Sequence, residues 1–243
     1  MTNGPRRVVL NTSASSGIGW ATAELVAARG KRVFGGVRAV ATPHPLAGAE
    51  LVPLDVRDET SVKACVEEVR NRAGRIDVLI NNASINLVGA IEETSISQAQ
   101  ALFDTNVIGV LRVNQAVLPG MRRQGTGLIV NISSILGFIP APFMGVYAST
   151  KAEGRIDAYA SQRHRTAGVM TQNTNTAPEP KLVAEQVLRS IEGPYPHATA
   201  HGQAALLSWL RRLLPARLFE PSLRKAFALD SASKGGGATE PRS

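Results

Sequence analysis

The chain has 243 residues, of which 44% are hydrophobic and 19% are charged, and 27 lysines and arginines against 19 acids give it a net charge of +8. This composition excludes a disordered protein, and no apolar run approaches the roughly 18 residues of a membrane-spanning helix. Basic residues are scattered and aromatic residues make up only 5% of the chain, so we do not expect nucleic-acid binding. With a single cysteine and no apolar leader segment, we expect a cytoplasmic protein without disulfides.

Short β-branched runs alternate with helical patterns up to Lys151. The patterns predict strands at residues 8–11, 33–37, 51–54, 76–80 and 128–132, and helices at about residues 16–28, 59–73 and 97–121. Because parallel strands need a long crossover connection, this alternation predicts an α/β fold with a doubly wound parallel sheet in a three-layer αβα domain. Ligands of such sheets bind at the carboxyl ends of the strands.

The alternation stops after Lys151, and no strand-like apolar run follows before Pro180. Helical patterns then return and predict helices at about residues 181–191, 203–214 and 222–229. We expect one domain over residues 1–230, in which the helices of residues 181–229 form a cap on the substrate side. The Ser- and Gly-rich tail, residues 231–243, is predicted to be disordered.

Two weaker patterns lie in this C-terminal part. Residues 206–214 form a basic amphipathic segment that could lie on an anionic membrane surface, but a buried contact in a cap or an oligomer is the favoured interpretation. His197 and His201 have the spacing of two metal ligands on a helix. Pro196 and the lack of a third ligand favour a solvated connector, so no metal site is predicted.

A turn rich in serine and glycine follows the first strand and opens directly into a helix. It reads Asn11-Thr12-Ser13-Ala14-Ser15-Ser16-Gly17-Ile18-Gly19. Glycine lets the backbone approach a pyrophosphate, and the unpaired amides and the dipole at a helix N-terminus favour an anion. The strand–turn–helix context therefore predicts a phosphate-binding turn; the alternative is an ordinary turn without a ligand.

Tyr147 and Lys151 lie four residues apart, so one face of a helix would carry both. An ammonium beside a phenol favours the phenolate, which suits general acid–base chemistry near neutral pH. Ser134 lies at the end of the fifth predicted strand, where its hydroxyl could hold a substrate oxygen. Ser133 is the competing serine.

Together these residues resemble the short-chain dehydrogenases/reductases, and most of all the 17-beta-hydroxysteroid and retinol dehydrogenase-like branch. The turn is similar to the family's Thr-Gly-x-x-x-Gly-x-Gly motif, and further family motifs match at Asp55-Val56, Asn81-Asn82-Ala83, Asn106, Ser134, and Tyr147 with Lys151. The resemblance runs from about Val8 to Lys151 and resumes more weakly toward Ala228. It implies a Rossmann-like oxidoreductase, forming a homodimer or homotetramer, that interconverts a secondary alcohol and a ketone or aldehyde by hydride transfer.

The resemblance also implies the roles of individual residues. Tyr147 would transfer the hydroxyl proton, Lys151 would favour the deprotonated tyrosine and hold the nicotinamide ribose, and Ser134, preferred over Ser133 by the family's Ser-to-Tyr spacing, would orient the carbonyl. Asn106 would join a water-mediated proton relay. The implied cofactor-binding residues, among which Asp55 meets the adenine amino group while Val56 and Asn82 line the adenosine pocket, are Thr12, Ser13, Ser15, Ser16, Gly17, Ile18, Gly19, Arg38, Asp55, Val56, Asn82, Ala83, Tyr147 and Lys151.

Cofactor choice is predicted from the end of the second strand. NAD-dependent members of the family usually have an acid there that accepts hydrogen bonds from the ribose hydroxyls, whereas Arg38 follows this strand. A guanidinium can bind a 2′-phosphate bidentately, which favours NADP(H) over NAD(H). The alternative is that Arg38 is a solvated surface residue.

Three departures from the family pattern argue against an intact enzyme. Ser13 and Ser84 replace two of the family's glycines, and we expect both to weaken cofactor binding. After Lys151, a block of a few tens of residues that would hold a sixth strand is missing relative to the pattern. Either the protein lacks this block, or the sequence joins two stretches across it. A true deletion predicts a damaged nicotinamide half-site, so the alternative function is that of a catalytically impaired nucleotide-binding or scaffold protein.

Overall fold

Five parallel strands form one sheet in the computed structural model, which describes residues 6–39, 48–137, 141–151 and 179–193. The strands are β1 (Val8–Thr12), β2 (Arg32–Val37), β3 (Ala49–Pro53), β4 (Val78–Asn81) and β5 (Leu128–Asn131). Their order across the sheet is β3-β2-β1-β4-β5, with parallel pairing throughout. The chain therefore winds outwards from β1 in one direction and from β4 in the other, which confirms the predicted doubly wound α/β fold.

Helices connect the strands. In the described ranges they are α1 (Gly17–Ala28), α2 (Glu59–Ala73), α3 (Ile96–Phe103), α4 (Gly109–Gln124), α5 (Gly145–Lys151) and α6 (Pro180–Glu192), with short 3-10 helices at Ile91–Glu93 and Ile135–Gly137. The single helix predicted over residues 97–121 is instead α3 and α4 joined by a π-helical turn at Asp104–Ile108. The segment directly after Lys151, the helices predicted at residues 203–214 and 222–229, and the tail lie outside the described residues.

Helix α2 shows how local sequence positions these elements. The Asp58 side chain accepts a hydrogen bond from the Thr60 amide at 2.9 Å and so caps the first turn. The apolar residues of α2 recur at helical spacing and are buried as predicted: Val62, Cys65, Val66 and Val69. Gly74, with φ of +77°, ends the helix in the left-handed conformation that glycine adopts without a steric penalty.

Helices cover both faces of the sheet. On one face, α2 and α4 pack over a cluster that includes Leu10 and Phe34. On the other face, α1 and α6 pack over a cluster that includes Val9 and Ile80. The result is the predicted three-layer arrangement. No helix in the described part of the chain is both long and apolar enough to cross a membrane.

Helix α6 belongs to one of these layers. Its residues Val187, Leu188 and Ile191 are buried in the cluster that α1 shares with the sheet. The Arg7 guanidinium donates a hydrogen bond to the Ile191 carbonyl at 2.6 Å, which ties the end of α6 to the residue before β1. The first helix of residues 181–229 therefore covers a sheet face, and the substrate-side cap expected of the remaining helices lies outside the described residues.

Candidate active site

All the expected site residues lie at or next to the carboxyl edge of the sheet. The positions follow the connections: Thr12, Ser13, Ser15, Ser16, Gly17, Ile18 and Gly19 between β1 and α1, Arg38 after β2, Asp55 and Val56 after β3, Asn82 and Ala83 after β4, Asn106 in the π-turn, Ser134 after β5, and Tyr147 and Lys151 on α5. Strand order places the β1–α1 turn beside the end of β4, where the direction of winding reverses. This is where doubly wound sheets bind their ligands.

Thr12 fastens the turn to the end of β4. Its hydroxyl oxygen is buried and accepts hydrogen bonds from the backbone amides of Asn82 and Ala83, each at 2.9 Å. The Asn82 side-chain amide in turn donates to the Ser13 carbonyl at 3.0 Å. These bonds hold the two connections at a fixed separation, so the motif residues at the two strand ends act as one unit.

At Gly19 the start of α1 packs closely against the Ser13 carbonyl of the same turn. A Cβ built on Gly19 would lie 1.9 Å from the Ser13 carbonyl oxygen and 2.5 Å from the Asn82 amide nitrogen, so only glycine fits. Asn11 fixes the position further, because its side-chain amide donates to the Gly19 carbonyl at 2.8 Å. Ser13 and Gly17 both have positive φ, +64° and +56°. A side chain at positive φ costs backbone strain, so the serine that replaces the family's glycine at position 13 strains the turn.

The N-terminus of α1 is open to an anion. Ser16 occupies the N-cap position, yet its side chain makes no capping hydrogen bond, and the first turn of α1 carries no acidic residue. The amides of the first helical turn and the positive end of the helix dipole therefore have no side-chain competitor among the described residues. This is the arrangement that binds phosphate groups at helix N-termini.

An open pocket beside this turn is lined by two arginines and one acid, Arg38, Arg57 and Asp55. The Asp55 carboxylate accepts from the backbone amide and the Nε of Arg57, both at 3.0 Å, and from the Nη2 of Arg57 at 2.6 Å. These hydrogen bonds from Arg57, and the charge of Arg38, lower the pKa of Asp55 to about 2. Arg57 was not among the expected site residues, and its only signal in the sequence is its place two residues after Asp55.

Asn106 is buried at the centre of the π-turn and its amide group is fully used. The side-chain nitrogen donates to the Ile85 carbonyl and to the Thr150 hydroxyl, both at 3.0 Å. The side-chain oxygen accepts from the Ile85 amide at 2.9 Å and from the Ser84 hydroxyl at 3.1 Å. An amide has two donors and two acceptor lone pairs, so a proton relay through this side chain would have to break one of these bonds.

Helix α5 carries Tyr147 and Lys151 one turn apart, beside the end of β5. The Lys151 ammonium donates a hydrogen bond to the Ile132 carbonyl at 3.2 Å. Burial lowers the pKa of Lys151, because desolvation disfavours its charged form. The bond brings the helix that carries the expected acid–base pair against the strand end that carries the two candidate serines.

The two serines after β5 have different surroundings. The Ser133 hydroxyl is exposed and donates to the Lys151 carbonyl at 3.3 Å. The half-buried Ser134 hydroxyl accepts from the Leu136 amide at 3.2 Å, and its own hydrogen has no acceptor among the described residues. Ser134 can therefore donate to a ligand without losing a bond within the chain, which supports the preference for Ser134.

No group of three or more histidine, cysteine, aspartate or glutamate side chains in the described ranges could hold a metal ion. His197 and His201 lie outside those ranges. Cys65 is buried on α2, and burial raises its pKa to about 12, so its thiol stays protonated.

A doubly wound parallel sheet with a glycine-containing turn at its switch point is the architecture of a dinucleotide-binding protein. A family model described as "short chain dehydrogenase" matches residues 7–164. The chain belongs to the short-chain dehydrogenase family, as its motifs indicated.

Known proteins similar to the chain include two reductases and a dehydrogenase. The 3-ketodihydrosphingosine reductase of Bacteroides thetaiotaomicron is 36% identical over 160 residues, 65% of this chain and 59% of that protein. Human retinol dehydrogenase 8 is 37% identical over 173 residues, 64% of this chain and 54% of that protein. Among solved structures, a phenylalanine-to-tryptophan variant of actinorhodin polyketide ketoreductase with NADPH has a TM-score of 0.67 at 26% identity, covering 80% of this chain and 93% of that one. The chain thus spans between about half and three fifths of the length of these two curated relatives.

Proposed function

We propose that the chain is an NADP(H)-dependent oxidoreductase that interconverts a secondary alcohol and a ketone or aldehyde. One observation carries this proposal: Lys151, one helical turn from Tyr147, is hydrogen-bonded to the strand end that carries Ser134, at the same sheet edge as the turn around Gly19. The residues proposed to bind phosphate and those proposed to transfer the proton therefore lie at the same edge of the sheet. Relatives named as a reductase and a dehydrogenase support the assignment.

The residues divide the chemistry between them. The cofactor supplies or accepts the hydride at its nicotinamide ring, and the chain binds both reactants and moves the proton. In the direction of reduction, Ser134 donates a hydrogen bond to the carbonyl oxygen and Tyr147 transfers its hydroxyl proton to that oxygen as the alcohol forms. The Lys151 ammonium stabilises the resulting phenolate, which is reprotonated from solvent. In oxidation the proton moves in the opposite direction.

An apolar substrate is the class that the surroundings favour. The connection after β4 carries three exposed apolar side chains, Ile85, Val88 and Ile91, at 40%, 58% and 39% exposure. Ile85 also lines the pocket beside the turn. Retinol and 3-ketodihydrosphingosine, which appear in the names of two relatives, are both largely hydrocarbon. A ketone or secondary alcohol on a hydrophobic skeleton is therefore the proposed substrate class.

The second candidate is a nucleotide-binding scaffold without turnover. The positive φ of Ser13 favours it, because a side chain at this position strains the turn that would hold the pyrophosphate. A scaffold would bind NADPH and reduce no carbonyl compound. The oxidoreductase would consume NADPH in the presence of at least one apolar ketone.

The serine pair provides one test of the oxidoreductase. We expect Ser134→Ala to lower kcat for ketone reduction by about 10²-fold or more, as loss of a donor to a developing oxyanion does, with an unchanged Kd for NADPH. Ser133→Ala is the matched control and should stay within about twofold of wild type, because its hydroxyl is exposed and water can replace its long bond to the Lys151 carbonyl. Steady-state NADPH oxidation measures both variants. A larger loss of kcat in Ser133→Ala than in Ser134→Ala would assign the hydrogen bond to the substrate carbonyl to Ser133 instead.

The Arg38 guanidinium is the proposed partner of the 2′-phosphate. Its side chain is exposed and lines the pocket with Arg57, and its positive charge helps to lower the pKa of Asp55. We expect Arg38→Ala to weaken NADPH binding by about 10- to 100-fold, the worth of a charge-assisted hydrogen bond, and to leave NADH binding unchanged. Fluorescence titration with both nucleotides gives the two Kd values. Arg123→Ala, on the exposed last turn of α4, is the control, and equal losses for both nucleotides in Arg38→Ala would contradict the assignment.

A homodimer is proposed through the surface formed by α3 and α4. Along these helices and the π-turn between them, exposed apolar side chains recur at spacings of four and seven residues: Ile96, Phe103, Val107, Leu111 and Leu118. Such a stripe on the solvent side of a helix pair is typical of helix–helix contacts between subunits. We expect the double substitution Ile96→Glu and Leu111→Glu to convert a dimer into a monomer in analytical ultracentrifugation. Leu182→Glu, at another exposed leucine on α6, should remain dimeric, and a monomeric wild type would refute the interface.

A further inference from the structure

Ser84 makes a contact that the family's glycine cannot make. Its hydroxyl donates to the Asn106 side-chain oxygen at 3.1 Å. Asn106 is 5% exposed, whereas Ser84 is exposed and lines the pocket beside the phosphate-binding turn. The substitution that was expected only to weaken cofactor binding therefore adds a hydrogen bond between the pocket wall and the π-turn.

Further hydrogen bonds connect Asn106 to α5, the helix that carries the proposed acid–base pair. Asn106 donates to the Thr150 hydroxyl at 3.0 Å, and this bond is buried. The Thr150 hydroxyl donates to the Tyr147 carbonyl at 2.8 Å, one turn earlier on α5. A continuous series of hydrogen bonds thus connects the Ser84 hydroxyl through Asn106 and Thr150 to the backbone of Tyr147.

The direction of each bond shows what the Ser84 hydroxyl contributes. The Asn106 oxygen has two acceptor positions, one filled by the Ile85 amide at 2.9 Å and the other by Ser84. With glycine or alanine at position 84, the second position would lose its donor within the chain. The side chain would then be held less firmly in the rotamer that presents its nitrogen to Thr150.

We propose that Ser84 is a positioning residue, which through Asn106 and Thr150 holds Tyr147 and Lys151 at a fixed place relative to the cofactor pocket. The catalytic part of this inference rests on the proposed oxidoreductase function. Its structural part, the restraint of α5 by Ser84, stands independently of any turnover. The two parts are therefore measured separately.

The kinetic test compares Ser84→Ala, Ser84→Gly and Ser84→Thr. We expect the first two to lower kcat by about 3- to 10-fold, the effect of losing one neutral hydrogen bond, while KM and the Kd for NADPH stay within about twofold of wild type. Ser84→Thr keeps the hydroxyl and should retain wild-type kcat. Ser97→Ala is the matched control and should change neither quantity, because the hydroxyl it removes is exposed and, among the described residues, is hydrogen-bonded only to the Ser95 hydroxyl.

Hydrogen exchange measures the restraint itself. Amides of α5 should exchange faster in Ser84→Ala than in wild type, whereas Ser84→Thr and Ser97→Ala should match wild type. If wild type reduces no carbonyl compound but α5 responds in this way, the proposed function fails and the restraint stands. Unchanged exchange in Ser84→Ala would overturn the proposal. A Kd for NADPH that rises as much as kcat falls would also overturn it, because Ser84 would then be a cofactor contact.

Discussion

Replacing Tyr147 with phenylalanine is expected to lower kcat for ketone reduction by about 10²- to 10⁴-fold, the usual contribution of a positioned general acid, while NADPH binds as tightly as before. The substitution removes a single oxygen and keeps the ring. Tyr147 is half-buried between the buried residues Gly145 and Ala148, and its carbonyl, which accepts from Thr150, is unaffected. The loss should therefore appear in turnover and not in folding.

Three measurements isolate the role of the hydroxyl. Steady-state kinetics give kcat, fluorescence titration gives the Kd for NADPH, and a thermal melt shows that the variant is folded. Equal turnover in wild type and Tyr147→Phe would exclude Tyr147 as the proton donor. NADPH binding without turnover in either protein would favour the scaffold function.

Lys151 links this prediction to pH. Burial lowers the pKa of Lys151 from its usual value near 10.5, so the ammonium is lost at a lower pH than on an exposed lysine. The proposed mechanism needs the charged form. We therefore expect kcat to fall as the pH rises through this lowered pKa, and Lys151→Met to lower turnover at every pH.

Gly19→Ala is expected to abolish NADPH binding and to destabilise the fold by about 2–4 kcal/mol, in the upper range for a buried steric clash. The added methyl would lie 1.9 Å from the Ser13 carbonyl oxygen, and neither group can move freely. Asn82 holds that oxygen, and Asn11 holds the Gly19 carbonyl. Relief would require the turn to separate from the end of β4, which would dismantle the phosphate-binding geometry.

Two other glycines serve as controls for this substitution. Gly17 has a positive φ but no atom within 4 Å of an added Cβ, so Gly17→Ala should cost only about 1–2 kcal/mol of backbone strain. Gly120 lies inside α4 with open space around it, so Gly120→Ala should stabilise by up to about 1 kcal/mol. Thermal melts and NADPH titrations rank the three variants. A Gly19→Ala protein that melts at the same temperature as Gly17→Ala and binds NADPH normally would show that the turn adapts to the added methyl group.

Elements that depend on local signals were predicted closely. Helix α2 was predicted over residues 59–73 and observed as Glu59–Ala73, because Asp58 caps its start, Gly74 ends it and its buried residues repeat at helical spacing. The five strands were found within about two residues of their predicted ends, because buried parallel strands are short runs of β-branched residues bounded by turns.

The long helix was predicted less well, for a reason that lies outside its own sequence. Apolar spacing indicated one helix over residues 97–121, whereas the structure has a π-turn at Asp104–Ile108. At that turn Asn106 bonds to Ile85 and Thr150, which are distant in the chain. Apolar periodicity indicates which face of a helix is buried, and it carries no information about a hydrogen bond to a distant segment of the chain.

The succession of strands and helices along the chain, the turn proposed to bind phosphate and the candidate catalytic residues were all predicted from the amino-acid sequence, because each leaves a pattern within a short stretch of chain. Only the tertiary structure decided how these groups are held. It placed Arg57 on the Asp55 carboxylate, turned α6 onto a sheet face, and joined Ser84 to α5 through Asn106 and Thr150. Contacts of this kind form where separate connections meet at the edge of the sheet, and their geometry depends on the packing of whole elements, which no local pattern records.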